Sequence, residues 1–398
     1  MACSRFLNFD LTGRPSSRKK EDQNDTIPNV SKMITEILEY EKIWRKKDNT
    51  KQYSTLQHEM YIEFLYEIQI GKDDFKDILG KEVDRANRKR GRKRKHTDTE
   101  IELKKRRLSG DHLNEDGTRE SSQETDETRH YRRLNSVDSL PSSEEAEDYV
   151  KEHDTEANNL LHGYRHLKNE IKHKDIPKAE RSRYLGILDV EVCIKECHAI
   201  LMKDVMDKNI TAPGKFSVLP RTAEFKGEVH HYPCYETEDI ADEALQAIIL
   251  QYNKMIDEIS TKKLERNKLE YSFKCASVLL FGFLTIHPFS DGNGRLARLL
   301  CSHCLNVFSP FPTAVYNMFS PSTREEYINA IVNARKNLKL SSNQIDCPDV
   351  AKREALLVLE QKPADLCYLI IESNWFTWRR FLRKIGEDIP MLDFEKGD

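Results

Sequence analysis

Apolar positions recur at three- and four-residue steps over most of this chain, and where that period stops the chain changes character. From about Asp148 onward the pattern predicts helices over 148–172, 179–207, 236–262, 267–286, 293–307, 323–337, 348–361 and 364–384. Residues 216–235 behave differently. Lys226-Gly227 sits between two short apolar/polar stretches there, the pattern of a β-hairpin, and Pro213-Gly214 breaks the helix ahead of it. Upstream, Met33, Ile37, Tyr40 and Trp44, then Met60, Phe64, Leu65 and Ile68, keep a helical step and predict a small helical segment over 28–80. Residues 1–27 read as a flexible leader and 341–398 as a helical extension. No repeat of solenoid period is visible. The fold class expected is mainly α with one hairpin.

Composition changes this picture in one region. The chain of 398 residues is 33% charged and 38% hydrophobic, too polar to be packed throughout. The net charge of −3 hides blocks of opposite sign. Over 81–147 the run RKRGRKRK (88–95) is followed by KKRR (104–107) and then by an acidic, Ser/Thr-rich tract. So little apolar area predicts a disordered linker, and the paired basic clusters predict a nuclear-import signal, with phosphate-backbone binding as the second reading. Arg132-Arg133-Leu134-Asn135-Ser136 would suit a basophilic kinase. The nine cysteines have no disulfide-framework spacing, so a reducing compartment is expected. The longest apolar run, around Ala276–Ile286, is interrupted by Ser and Gly and reads as too short to span a bilayer. A nuclear or nucleo-cytoplasmic protein, not secreted and without a membrane span, is the expectation.

The chemistry concentrates in residues 287–298, His-Pro-Phe-Ser-Asp-Gly-Asn-Gly-Arg-Leu-Ala-Arg, between two predicted helices. Gly292 and Gly294 bracket Asn293 where a helix begins, so successive N–H groups can converge on an anion and the helix N-terminus adds more. Arg295 and Arg298 share one face of that helix and can hold further phosphate oxygens. Asp291 can ligate Mg²⁺ bridging the phosphates. His287 titrates near neutrality and can take a proton from an incoming hydroxyl. Phe289 would anchor the loop in the core. Together these suit transfer to a hydroxyl at phosphorus.

The twelve residues resemble, position for position, the signature of Fic-domain proteins, His-x-Phe-x-(Asp/Glu)-Gly-Asn-Gly-Arg-x-x-Arg. IKECHAILMKD (194–204), PGKF (213–216) and SPSTREEYINAIVNA (320–334) are similar to further parts of that family, so the resemblance covers roughly 148–340. It implies a helical bundle with a β-hairpin flap over the active site. The activity implied is protein adenylylation: AMP passes from ATP to a Ser, Thr or Tyr hydroxyl and pyrophosphate is released. Under that likeness His287 is the base and Asp291 holds Mg²⁺ or Mn²⁺. Asn293 and the amides around Gly292 and Gly294 take the α- and β-phosphates, and Arg295 and Arg298 the β- and γ-phosphates. Tyr327 lies near the adenine. A protein target would add as a strand along the flap 216–235. Gly-Asn-Gly-Arg in place of the Lys-containing variant argues against kinase activity. Gly292, where some members have Ala, argues against phosphocholine transfer.

Two departures matter. Many members carry an inhibitory helix, (Ser/Thr)-x-x-x-Glu-(Gly/Asn), whose Glu pairs with the second motif arginine. No Glu here is followed by Gly or Asn, and the nearest candidate is Glu156, with Glu152 four residues before it. If Glu156 is the regulator, it would also support removal of AMP. After PGKF the family often has Arg, where this chain has Ser217.

Other groups read as packing. Cys301 and Cys304 have a zinc-like spacing that Cys193, Cys197 and His198 would have to complete, but cysteines three apart on a helix usually pack. Trp375, Phe376, Trp378 and Phe381 read as core, and His230-His231 as solvated strand residues. The expected partners are ATP, a protein target, an import receptor at 88–107 and a second copy of the chain. The rival functions are a nuclear nucleotide-binding scaffold of the same fold, or transfer of another phosphate-containing group.

Overall fold

The computed structural model of the chain describes residues 5–11, 27–47, 56, 60, 64, 155–156, 158–167, 186–205, 211–306, 308–316, 320–341 and 343–392. They belong to one compact unit made from residues 1–72 and 155–398. The charged linker 81–147, its basic clusters 88–107 and the segment 132–136 lie outside the described residues.

Among the described residues the fold is helical with one two-stranded sheet. The helices are α1 (Val30–Arg45), α2 (Cys197–Leu201), α3 (Glu238–Ser260), α4 (Glu265–Ile286), α5 (Asn293–Leu305), α6 (Arg324–Arg335), α7 (Pro348–Leu359) and α8 (Ala364–Lys384), with a π-helical turn, Val190–Glu196, leading into α2. Residues 158–167 are helical as well. Among the described residues, the helix predicted over 179–207 begins at Val190. Asp189 caps it, its Oδ1 accepting the Val192 N–H at 2.8 Å.

The centre of the core is α4. Every side chain from Ser272 to Ile286 is buried, against α3, α5, α7, α8 and α1. Burying each large apolar side chain contributes about 1.5–3 kcal/mol, which makes this helix the main source of cohesion. At 22 residues it is long and apolar enough to cross a membrane, contrary to the reading of its apolar run, yet 89% of its most apolar window is buried inside the protein. Its hydrophobicity is therefore accounted for by the core.

Helix α1 packs along α8 and touches α4. Met33, Ile34 and Ile37 are buried, and Glu36 accepts the Trp375 indole N–H at 2.7 Å. The aromatic group of α8 is core: Trp375, Phe376, Trp378 and Phe381 are at most 1% exposed. The N-terminal helix and the C-terminal extension, distinct pieces in the sequence, thus share one interior. The leader is corrected too. Phe6, Leu7 and Phe9 are buried in the same core, because three apolar side chains in four positions gain more by docking than by staying in water.

The hairpin forms where expected. Strands β1 (Thr222–Phe225) and β2 (Glu228–His231) pair antiparallel, with Thr222 opposite His231. Lys226 and Gly227 both have positive φ, 54° and 79°, the geometry whose twist suits a two-residue hairpin loop. The hairpin is mostly exposed, with Val229 57% accessible.

Because α1 closes the common core, Ile37→Ala should lower the stability of the whole unit by about 2–5 kcal/mol. Denaturant unfolding should show one shifted transition; a separate early transition, with the main one unmoved, would reveal an independent N-terminal module.

Candidate active site

The loop between α4 and α5 is held from several directions. His287 caps α4 in the left-handed region, φ 51° and ψ 59°, an uncommon conformation for a residue with a side chain and one that recurs at functional sites. Phe289 points into the core at 0% exposure. The Asn293 side chain then closes the turn. Its Nδ2 donates to the Phe289 carbonyl at 2.7 Å and its Oδ1 accepts the Phe289 N–H at 3.0 Å.

The Asn293 side chain, 1% exposed, thus braces the turn through both backbone groups of Phe289. Gly292, at φ 74°, precedes it as the helix N-cap. A Cβ there would sit 2.6 Å from Met202 Sδ and 3.1 Å from His198 Nε2, so neither the backbone nor the space admits a larger residue.

His198 is the brace that sequence reasoning missed, having weighed it only as a zinc ligand. It lies on α2 and stacks on Phe289, centroids 3.6 Å apart at 4°. Nδ1 accepts the Gly214 N–H at 2.9 Å, which puts the proton on Nε2, 3.0 Å from the Asp291 carbonyl. One ring thus joins the Pro213-Gly214 turn, α2 and the loop. Cys193, Cys197, Cys301 and Cys304 are buried, as packing residues are.

The polar members of the loop gather at the start of α5. Asp291 is exposed, accepts the Gly292 N–H at 2.6 Å and lies 3.5 Å from Arg295. One exposed carboxylate beside a nest of amides fits Mg²⁺, which binds through few protein oxygens plus phosphate and water. Arg298 is hydrogen-bonded to the hydroxyl of Tyr327, which is itself 5% exposed, so the contact of Tyr327 is to the motif arginine. Glu156 reaches the same helix start. Its carboxylate lies 3.7 Å from Arg295, the first motif arginine, whereas the family likeness pairs the inhibitory Glu with the second.

The hairpin is tied to this loop at its base. The Ser217 N–H donates to the Pro288 carbonyl at 2.8 Å. Arg221 donates to the carbonyls of Ser217 and Pro233, and Arg335 to that of His231 at 2.7 Å. Tyr232 stacks on His287 at 3.9 Å, and the Arg335 guanidinium lies 5.0 Å from the Tyr232 ring centroid. Sequence reasoning missed Arg221, Tyr232 and Arg335, because only the tertiary fold brings them to His287.

Burial drives the His287 pKa down to about 4. The Arg221 and Arg335 charges push the same way, and the Leu284 carbonyl and Asp291 oppose them. The ring is therefore neutral at pH 7. Nδ1 lies 3.3 Å from the Leu284 carbonyl, which favours the proton there and leaves the Nε2 lone pair as a base. Burial also lowers His198 and His303 to about 4.

Residues 188–305 match the sequence model of the Fic/DOC family. A curated relative, the small chain of ribonucleoside-diphosphate reductase from Ostreid herpesvirus 1 (isolate France), is 31% identical over 153 residues, 38% of this chain and 23% of that protein. A Fido domain-containing protein of Dictyostelium discoideum is 37% identical over 60 residues, 15% of this chain and 38% of that one. The matched regions thus span well under half the length of either. Among solved structures, a Fic domain-containing signalling protein from Bacteroides thetaiotaomicron aligns with a TM-score of 0.48 at 17% identity, over 90% of this chain and 99% of that one. Fic-1 from C. elegans aligns at 0.46 and 13%, over 89% and 72%. At these scores the two alignments carry no argument.

The depressed imidazoles predict acid sensitivity. Native His198 and His303 stay neutral where unfolded ones take up protons, so stability present above pH 6.5 is lost as pH falls toward 4. Each contributes a slope of about 1.4 kcal/mol per pH unit in that window. Unfolding free energies measured from pH 7 to 4 should show this slope, and His303→Gln should reduce it.

Proposed function

We propose, on the premise that the chain carries a Fic-family domain over residues 188–305, that it is a protein nucleotidyltransferase. It would pass a nucleoside monophosphate from a Mg²⁺-bound nucleoside triphosphate to a hydroxyl of a protein target. ATP is the donor that the likeness implies. The observation carrying this reading is the adjacency of a neutral imidazole, whose Nδ1 faces a carbonyl, to an amide nest, a carboxylate and two arginines on one braced loop.

In the reaction the hydroxyl oxygen attacks the α-phosphorus in line. The O–Pα bond forms, the proton passes to His287 Nε2, and the bond from Pα to the bridging oxygen of the β-phosphate breaks. Pyrophosphate leaves with its charge facing Arg295, Arg298 and the amides around Gly292 and Gly294. Mg²⁺ held by Asp291 and the phosphates would neutralise part of that charge. The polyphosphate also brings negative charge beside His287, which raises its pKa from about 4 toward the range where a general base works best. The target would lie along the exposed hairpin, whose outer strand edges offer main-chain hydrogen bonds. Glu156, beside Arg295, would compete with the phosphates and restrain the enzyme.

Two measurements test this. After incubation with Mg²⁺ and each nucleoside triphosphate, mass spectrometry of the protein or of lysate targets should show an added nucleoside monophosphate, and His287→Ala should remove it. No His287-dependent adduct from any donor would sink the assignment. Glu156→Gly should raise the rate of labelling severalfold, and an unchanged rate would strip Glu156 of its restraining role.

A further inference from the structure

A general base works only if its ring is held in one plane and one sense, and the attachments of His287 itself do not supply this. The ring leaves α4 on left-handed backbone, and rotation about the Cβ–Cγ bond of a histidine is soft and roughly two-fold. Its Nδ1 lies 3.3 Å from the Leu284 carbonyl, just beyond the usual range of an N–H···O bond. A contact that long selects the sense of the ring and leaves its tilt loosely defined. Tyr232 limits the tilt. The two rings lie 3.9 Å apart at 15°, so the imidazole cannot turn out of its plane without meeting the phenol. The stack covers a face of the imidazole and leaves the Nε2 edge clear of the phenol.

Tyr232 is itself tied down. Residues 231–233 are bonded in succession to two arginines, Arg221 and Arg335. The Arg335 guanidinium donates to the His231 carbonyl at 2.7 Å, hydrogen-bonds the Tyr232 hydroxyl and lies 5.0 Å from the Tyr232 ring centroid. The Tyr232 N–H donates to the Arg221 carbonyl at 3.1 Å, and the Arg221 side chain donates to the Pro233 carbonyl. Among the described residues neither guanidinium has a carboxylate within ion-pair distance. Burying a guanidinium forfeits its hydration, and here the compensating bonds fall on Ser217 and on the segment that carries Tyr232. Tyr232 also borders a cavity of about 700 Å³, so close packing on every side does not account for the position of its ring.

We infer that Tyr232 is a positioning residue of the proposed transfer: its ring fixes the plane of the His287 imidazole, the Leu284 carbonyl fixes its sense, and together they aim Nε2 at the incoming hydroxyl. The inference rests on the nucleotidyl-transfer reading for what His287 does. The face of the Tyr232 ring carries the role, while its hydroxyl binds Arg335 and takes no proton. Arg221 and Arg335 act one step further back, by holding Tyr232. Because the effect falls on the base and not on the phosphates, loss of the stack slows the transfer without weakening the nucleotide complex.

The test follows labelling of the full chain and of lysate proteins over a range of Mg²⁺-ATP concentrations, for the native protein and for Tyr232→Phe, Tyr232→Leu and Tyr232→Met. Phenylalanine keeps the stack and should hold kcat within about threefold of native. Leucine removes it and should lower kcat by about tenfold to a hundredfold, the scale of a misplacement of about 1 Å, with the nucleotide KM within about threefold. Imidazole NMR reads the orientation without turnover. His287, assigned through His287→Ala, should show one tautomer, protonated at Nδ1, in the native chain and in Tyr232→Phe, and a mixture in Tyr232→Leu. If Tyr232→Leu does not fold, Tyr232→Met is judged by the same criteria. A native kcat in the leucine or methionine variant overturns the inference. So does a loss that lies wholly in the nucleotide KM, or a His287 spectrum that neither variant changes. If no nucleoside triphosphate gives His287-dependent labelling, the transfer reading fails by itself, and the spectra still decide whether Tyr232 orients the ring.

Discussion

The turn between α4 and α5 depends on one reciprocal contact, the Asn293 side-chain amide closed onto both backbone groups of Phe289. It converts the end of the central core helix into a fixed platform. On either side of the anchored Phe289, His287 and Gly292 hold left-handed backbone. His198 backs the same turn from below, through its stack on Phe289 and its bond to the Asp291 carbonyl. Preorganisation of this kind matters most for phosphoryl chemistry, where positioning and charge supply most of the acceleration.

That platform is set in an excess of positive charge. Arg295 and Arg298 lie on the α5 side of the loop, and Arg221 and Arg335 act on His287 from the hairpin side. Asp291 and Glu156 face Arg295, while the hairpin arginines face carbonyls and a tyrosine ring. The site thus carries more positive than negative charge, and an anionic ligand would balance it. Burial, helped by the Arg221 and Arg335 charges, keeps His287 neutral, and anionic phosphates bound beside it would make it a stronger base.

What was legible in the sequence was local. The period of apolar residues marks the helices after residue 236 to within a few positions, and Lys226-Gly227 marks the hairpin turn, because both signals lie within a few residues of the structure they describe. The loop 287–298 was legible as a collection of side chains, yet the share of Asn293 in it was not. Residue type showed an amide next to an anion nest but not that Phe289, four residues back, already uses it. Arg221, Tyr232 and Arg335 are separated by up to 114 residues and share no periodicity, so only the packing of α6 against the hairpin base discloses them. Phe6, Leu7 and Phe9 read as leader in the sequence because the basic, polar stretch after them masks three apolar positions that the core accepts.

In the proposed role, Glu156 would hold such a site in check without locking it. The pair with Arg295 spans 3.7 Å, and the carboxylate is one-third exposed. Pairs this open contribute about 0–1 kcal/mol. A nucleoside triphosphate with Mg²⁺ engages the amide nest, Asp291 and both motif arginines at once, so it can displace one carboxylate. Glu156 would thus act on where the phosphates settle against Arg295 rather than on whether nucleotide enters. A misplaced terminal phosphate turns the α-phosphorus away from the line of attack, and a shift of about 1 Å in such geometry is enough to cost a hundredfold in rate. Restraint by misalignment would need only a weak pair in the right place, and the Glu156–Arg295 contact is a pair of that kind.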